Sequence, residues 1–123
     1  MRRSLISINP EHVDNIINGI KKYEYRRKAA KKDISSIIIY ETTPVKRVVA
    51  EAEILEVLEM PIEELWDSTR DASGITKEFY LSYFKGKKVG YAYKLGKVIK
   101  YSEPKPLTEF GVRFAPQSFV YIV

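Results

Sequence analysis

Charged residues with complementary chemistry lie close together in the segment Gly19-Ile20-Lys21-Lys22-Tyr23-Glu24-Tyr25-Arg26. The ammonium group of Lys21 is a point charge suited to a phosphate or a carbonyl. Arg26 carries a planar guanidinium that can hold a phosphate or a base edge through two hydrogen bonds. Glu24 could accept a hydrogen bond from a base amine, or hold Lys21 and Arg26 in place. The segment therefore predicts a site for an anion or a nucleotide.

The positions of these side chains depend on a helix and a strand. Asn9-Pro10 is typical of a helix start, and apolar residues at helical spacing predict a helix over residues 10–19 that Gly19 ends. Residues 22–27 alternate as a strand, which places Glu24 and Arg26 on one face. Lys21 reaches that face only if the chain turns before Lys22. The plainer interpretation is a structural Glu24–Arg26 pair on a solvated strand.

The positive charge of the chain is concentrated near this segment. Residues 1–33 hold nine Lys or Arg and four acidic residues, while the remaining ninety hold twelve of each sign. Most of the excess falls within the basic segment of residues 19–32, which would attract polyanions. Tyr23 and Tyr25 lie among these cations, and such aromatic rings suit bases as well as phosphates. The alternative is a lysine-rich surface that serves solubility.

Several other kinds of site are not expected. Cysteine is absent and His12 is the single histidine, so we expect no metal site, no disulfide and no cofactor. We expect His12 to be an exposed helix residue. Glu51 and Glu53 fit a solvated strand face, although either could point into a cleft. No apolar run reaches the ~20 residues that a membrane span requires, and a cytoplasmic location fits best.

The rest of the chain predicts a compact sheet with short helices. Residues 37–40 read as a buried central strand, and a long strand over residues 48–57 changes its apolar face after Ile54, as a β-bulge would cause. Short helices are expected after Pro61 and around residues 75–83. A strand over residues 89–95 is expected to pair with residues 98–101, and residues 119–123 form the last strand. Two prolines exclude residues 102–106 from a central strand. The prediction is one α+β domain over residues 1–123, a small bent or closed, mainly antiparallel β-barrel with an N-terminal helix and short peripheral helices.

The charged segment also resembles a known motif. It fits G-x-K-x-x-E-x-R, the signature of ASCH domains, which are similar to PUA RNA-binding domains. Other parts of the chain resemble the same family, so that the likeness spans nearly the whole sequence: Leu5 to Glu11, Ile39-Tyr40, Val48 to Val57 and Ala115 to Tyr121.

This resemblance implies a PUA-like barrel with a cleft beside the first helix and a ligand derived from RNA. Residues around that cleft would bind RNA, single-stranded nucleic acid or a nucleotide: Lys21, Glu24, Arg26, Arg27, Tyr40, Gln117 and Ser118. Some members are amidohydrolases that act on an acetylated cytidine with a lysine, a threonine and a glutamate. Lys21 matches that lysine, whereas Glu24 stands where the threonine would be. Two classes of function therefore stay open, a binding domain with a basic cleft and a small amidohydrolase or ribonuclease that uses Lys21 and Glu24.

Overall fold

The strands of the protein form one sheet, and three short helices pack against it. The computed structural model describes residues 2–28 and 33–122. The expected charged connection from Lys28 to Asp33 therefore lies largely outside the described residues, as does Val123. In chain order the elements are β1 (Arg2–Ile8), α1 (Pro10–Ile17), β2 (Tyr23–Arg26), β3 (Ile34–Glu41), β4 (Arg47–Pro61), α2 (Ile62–Thr69), α3 (Lys77–Tyr83), β5 (Val89–Lys105) and β6 (Phe119–Ile122).

The order of strands in the sheet is β2-β5-β4-β3-β1-β6. All neighbours are antiparallel except β1 and β3, so the predicted α+β, mainly antiparallel class is confirmed. Closure into a barrel by backbone hydrogen bonds does not occur among the described residues, because β2 and β6 remain the two edges. Both edge strands are only four residues long, and a side-chain contact from Arg26 to Ser118 joins them instead of a strand ladder.

The two long strands explain the bend of the sheet. The ladder between β4 and β5 shifts register on both sides of Ile54, which confirms the irregularity predicted from the change of apolar face. The expected pairing of residues 89–95 with 98–101 is wrong, because both lie in the single strand β5 and pair with β4. β5 also continues through Pro104, which lies in an edge segment and not in a central strand, as predicted. Since β2 pairs with β5 only at residues 91–94, the far half of β5 is an edge on that side and tolerates proline.

Apolar residues of β1 and β3 are buried on both faces of the sheet. Ile6 and Ile39 pack with Val13 and Ile16 of α1 in one hydrophobic cluster. Leu5 and residues 38 and 40 of β3 face the opposite cluster, which also contains Val48 and Ile122. A third cluster lies beneath α2 and α3 and is rich in aromatic rings: Tyr25, Leu65, Trp66, Tyr80, Phe84 and Ala92. Residues of α1 therefore pack in the first cluster, and residues of β2 and α3 pack in the third.

The end of α1 matches the prediction. Gly19 has φ +77°, the left-handed conformation that an L side chain strains to adopt. The backbone N–H groups of Ile20 and Lys21 both donate to the Asn15 carbonyl, at 3.0 and 2.9 Å. The chain therefore reverses within two residues of the helix and delivers Lys21 beside β2.

Two buried tyrosines predict opposite effects of losing a hydroxyl. Tyr80 Oη donates to the Ile62 carbonyl at 2.7 Å, whereas Tyr93 Oη is buried without a hydrogen-bond partner in the described part of the chain. We expect Tyr80→Phe to lower the free energy of unfolding by about 1 kcal/mol and Tyr93→Phe to raise it by a similar amount, because an unsatisfied buried hydroxyl destabilises the fold. Urea unfolding followed by circular dichroism measures both. Equal losses in the two variants would contradict this account.

Candidate functional site

Lys21 is a buried cation at the centre of the site, with 3% of its surface exposed. Its Nζ donates to the Ser73 carbonyl at 2.9 Å and lies 4.8 Å from the centroid of the Tyr25 ring. Burial lowers the pKa of the Lys21 ammonium below its usual value, and the nearby Glu24 carboxylate partly offsets that effect. Lys21 is therefore easier to deprotonate than an exposed lysine.

The loop that follows α2 determines where Lys21 lies. The backbone N–H of Lys22 donates to the Ala72 carbonyl at 2.8 Å, and Leu95 N–H of β5 donates to the Lys22 carbonyl at 2.9 Å. Gly74 has φ +69°, and a Cβ on it would lie 2.5 Å from the Cβ of Lys21. The loop thus packs directly against the lysine stem, in a space that admits no side chain.

Glu24 and Arg26 extend the charged cluster along β2. They are 8% and 9% exposed, so neither lies on a solvated strand face. Glu24 Oε2 is 3.7 Å from Arg26 Nη1, and Arg26 Nη2 donates to the Ser118 hydroxyl. The separation between Glu24 and Arg26 exceeds that of a direct hydrogen bond, so both carboxylate oxygens retain the capacity to accept one.

Lys21 and Glu24 line a cavity of about 180 Å³. One wall comes from β1 and the start of α1, and the facing wall comes from α3 and the loop before it. The complete lining is Ser7, Ile8, Asn9, His12, Lys21, Glu24, Tyr25, Ile75, Phe79 and Tyr83. We call this cavity the base pocket. Two of its rings, Phe79 and Tyr83, lie on the α3 side.

A second, wider cavity of about 490 Å³ adjoins the base pocket. Five of its side chains are cationic, and two residues, Ser7 and Tyr83, belong to both linings. The lining of this basic groove is Ser7, Arg26, Arg27, Lys28, Tyr83, Lys85, Lys87, Gln117 and Ser118. Arg27 lies over the Tyr83 ring, with its guanidinium carbon 5.1 Å from the ring centroid. The basic groove and the smaller base pocket are therefore adjacent, and Ser7 and Tyr83 border both.

The sequence pattern that defines the ASCH domain matches residues 6–105, which is most of the chain and includes Lys21, Glu24 and Arg26. The chain belongs to the ASCH domain family. The resemblance inferred from the charged motif is thereby confirmed.

Individual proteins agree with this assignment. An "ASCH domain-containing ribonuclease" from Zymomonas mobilis is 30% identical over 76% of this chain and 64% of its own length. The crystal structure of ASCH from Zymomonas mobilis superposes with a TM-score of 0.87 at 27% identity, covering 97% of this chain and 86% of that one. A protein named ATP synthase subunit alpha from Ureaplasma parvum is 29% identical over 96% of this chain. The matched region is only 15% of the length of that protein.

The site residues predicted from the sequence lie in three different parts of the ASCH domain. Lys21 and Glu24 lie in the base pocket, while Arg26, Arg27, Gln117 and Ser118 line the basic groove. Tyr40 lines neither cavity. It is 7% exposed and packs in the hydrophobic cluster with Leu5 and Val48.

Glu51 and Glu53 of β4 also lie away from this surface. Glu51 and Glu53 line a separate cavity with Ser35, Ser36 and Lys97. The alternation along β4 turns both carboxylates to this separate cavity, since their neighbours Ala50 and Ala52 are buried on the other face. In the described residues, no helix is long and apolar enough to cross a membrane, and no group of at least three His, Asp or Glu side chains could hold a metal ion.

Several residues of the ASCH domain surface were missed or misjudged from the sequence. His12 is half-buried and lines the base pocket, with its ring edge-on to Phe79 at 5.4 Å between centroids, and is not simply an exposed helix residue. The repeat of Ile75, Phe79 and Tyr83 predicted a helix but gave no sign that its stripe faces a cavity. Lys85 and Lys87 of the groove carried no local signal beyond their charge.

The tight contact at Gly74 predicts a measurable destabilisation. We expect Gly74→Ala to lower the free energy of unfolding by about 1–3 kcal/mol more than Gly19→Ala, because a new Cβ overpacks against Lys21. Gly19 is a matched control, since it has a similar positive φ and nothing lies within 4 Å of its added Cβ. Thermal or urea unfolding of the two variants gives the difference. Equal losses would mean that only backbone strain matters at Gly74.

Proposed function

We propose that this ASCH domain binds single-stranded RNA, with the phosphate chain in the basic groove and one nucleoside in the base pocket. The observation that carries the proposal is that the two cavities lie side by side and share Ser7 and Tyr83 in their linings. A phosphate chain needs exposed cations along a track, whereas an unstacked base needs ring faces and polar groups. The two linings offer these two kinds of surface side by side.

The exposed cations of the groove suit phosphates. Arg27, Lys28, Lys85 and Lys87 are exposed, so they can exchange bound counterions for a phosphate without first losing a buried partner. Arg26 differs from them because it is buried between Glu24 and Ser118. We therefore assign Arg26 a structural role between the base pocket and the basic groove, and assign phosphate binding to the four exposed cations.

Binding by this groove should depend strongly on salt. We expect the double substitution Lys85→Ala with Lys87→Ala to reduce the slope of log affinity against log salt by about 0.7 for each lost phosphate contact. The control pair Lys97→Ala with Lys100→Ala changes the net charge equally but lies outside the groove. Fluorescence anisotropy with labelled uridine oligomers at several salt concentrations measures the slopes. Equal slopes in the two double variants would argue against the groove as the phosphate track.

A second candidate function is RNA cleavage at the same surface. The observation that favours it is the buried Lys21 amine, whose pKa is lowered by desolvation and which lines a pocket together with Glu24. The relative named as a ribonuclease supports it as well. Neutral Lys21 would take the proton from a ribose 2′-hydroxyl. The 2′-oxygen would bond to phosphorus, the bond to the 5′-oxygen would break, and that oxygen would take a proton from water.

This cleavage hypothesis gives a test at Lys21. Lys21→Arg keeps a positive charge but removes the base, because a guanidinium does not deprotonate in proteins. If the domain cleaves RNA, we expect a loss of at least about 100-fold in rate, the usual contribution of a general base. In the wild type the rate should rise with pH up to the lowered pKa of Lys21, since only the neutral amine accepts a proton.

The control for this test is Lys22→Arg, which alters an exposed neighbour. Gel analysis of labelled RNA and of the matching DNA oligomer gives the readout. Cleavage of the DNA, which has no 2′-hydroxyl, or full activity in Lys21→Arg would rule out this role. Binding without any cleavage would leave the ASCH domain as a binding module alone.

A further inference from the structure

We infer that the base pocket selects guanine among the four RNA bases, by pairing Glu24 and Lys21 with its Watson–Crick edge. The inference rests on the proposed RNA-binding function and adds the identity of the base. It is drawn from the donors and acceptors that line the pocket, from the free capacity of the Glu24 carboxylate and from the size of the cavity.

Two charged side chains, Lys21 and Glu24, contribute to the hydrogen-bonding capacity of the pocket, beside the polar groups of Ser7, Asn9 and His12. An ionised carboxylate only accepts, through two oxygens, and an ammonium group only donates. The Lys21 ammonium has three N–H donors, of which the Ser73 carbonyl takes one. Glu24 Oε2 is 3.7 Å from Arg26 Nη1, too far for a direct hydrogen bond that would use up that oxygen. The pocket can thus accept two adjacent hydrogen bonds at the Glu24 carboxylate and donate hydrogen bonds from Lys21.

Guanine is the base whose Watson–Crick edge matches this arrangement. Its N1–H and N2 amine are adjacent donors, and its O6 beside them is an acceptor. Adenine presents one donor beside one acceptor, and cytosine and uracil each present one donor and two acceptors. Those lone pairs would face the second oxygen of Glu24, and a buried carboxylate opposite a lone pair is strongly unfavourable.

The shape of the pocket agrees with a single planar base. Its volume of about 180 Å³ equals that of roughly six liquid water molecules, which suits one ring system rather than several nucleotides. Phe79 and Tyr83 provide ring surfaces on the α3 side, and Phe79 is about half exposed, at 48%. Bases in single-stranded RNA are commonly stacked on such rings while their edges are read by polar groups.

The experiment measures the affinity of the wild-type protein for uridine oligomers that carry one central guanosine, adenosine, cytidine or uridine. We expect the guanosine oligomer to bind at least about tenfold more tightly, as one two-point base contact provides. Replacing guanosine by inosine removes only the N2 amine and should weaken binding by about fivefold. The inosine comparison needs no protein variant, so it cannot fail through misfolding.

A substitution at Glu24 links the preference to this side chain. We expect Glu24→Gln to lose the guanosine preference, since an amide N–H donor then faces one of the two donors of guanine. Circular dichroism checks that the variant is folded.

The outcomes separate the two proposals. Equal affinity for all four oligomers, or for guanosine and inosine, overturns guanine selection but leaves RNA binding in place. A preference that persists in folded Glu24→Gln assigns the selectivity to other residues and likewise overturns the inference. If no oligomer binds at low salt, the proposed RNA-binding function fails, and guanine selection fails with it.

Discussion

The burial of three charges from one short motif is the constraint on which the rest of this structure depends. Lys21, Glu24 and Arg26 are each removed from water, and a charge in that position destabilises a fold unless other groups compensate it. The compensating groups lie far away in sequence. The carbonyl that receives Lys21 is 52 residues away, and the hydroxyl that receives Arg26 is 92 residues away. The motif can be buried only if the whole chain is folded.

The curved sheet satisfies that requirement. It brings the edge strand β2 near the segment before β6, so that Arg26 reaches Ser118 across the two open edges. It also places the loop after α2 against Lys21, where Gly74 leaves room for the lysine stem. A sheet closed by a backbone ladder would occupy the gap in which the base pocket and the basic groove meet. The basic groove is therefore present because the sheet remains open between β2 and the segment before β6.

The surface divides its charges by exposure, and the proposed RNA binding assigns different roles to the two groups. Exposed cations such as Lys85 and Lys87 act through long-range attraction, which salt screens. Buried Lys21 and Glu24 act at short range, where low polarity strengthens each hydrogen bond and penalises each mismatch. Under that proposal, different substitutions would alter the attraction of RNA and the discrimination among its bases.

Features that depend on a few neighbouring residues were determined by the sequence itself. The helix after Asn9-Pro10, its end at Gly19 and the irregularity at Ile54 follow from capping, backbone freedom and side-chain alternation, which act over one or two turns. The charged motif likewise identified the family. Tertiary structure alone decided which distant groups meet: the loop at Gly74 against Lys21, the burial of Tyr40, and the continuous run of β5. Those outcomes depend on packing and strand pairing between segments far apart in the chain, and local patterns carry no record of such partners.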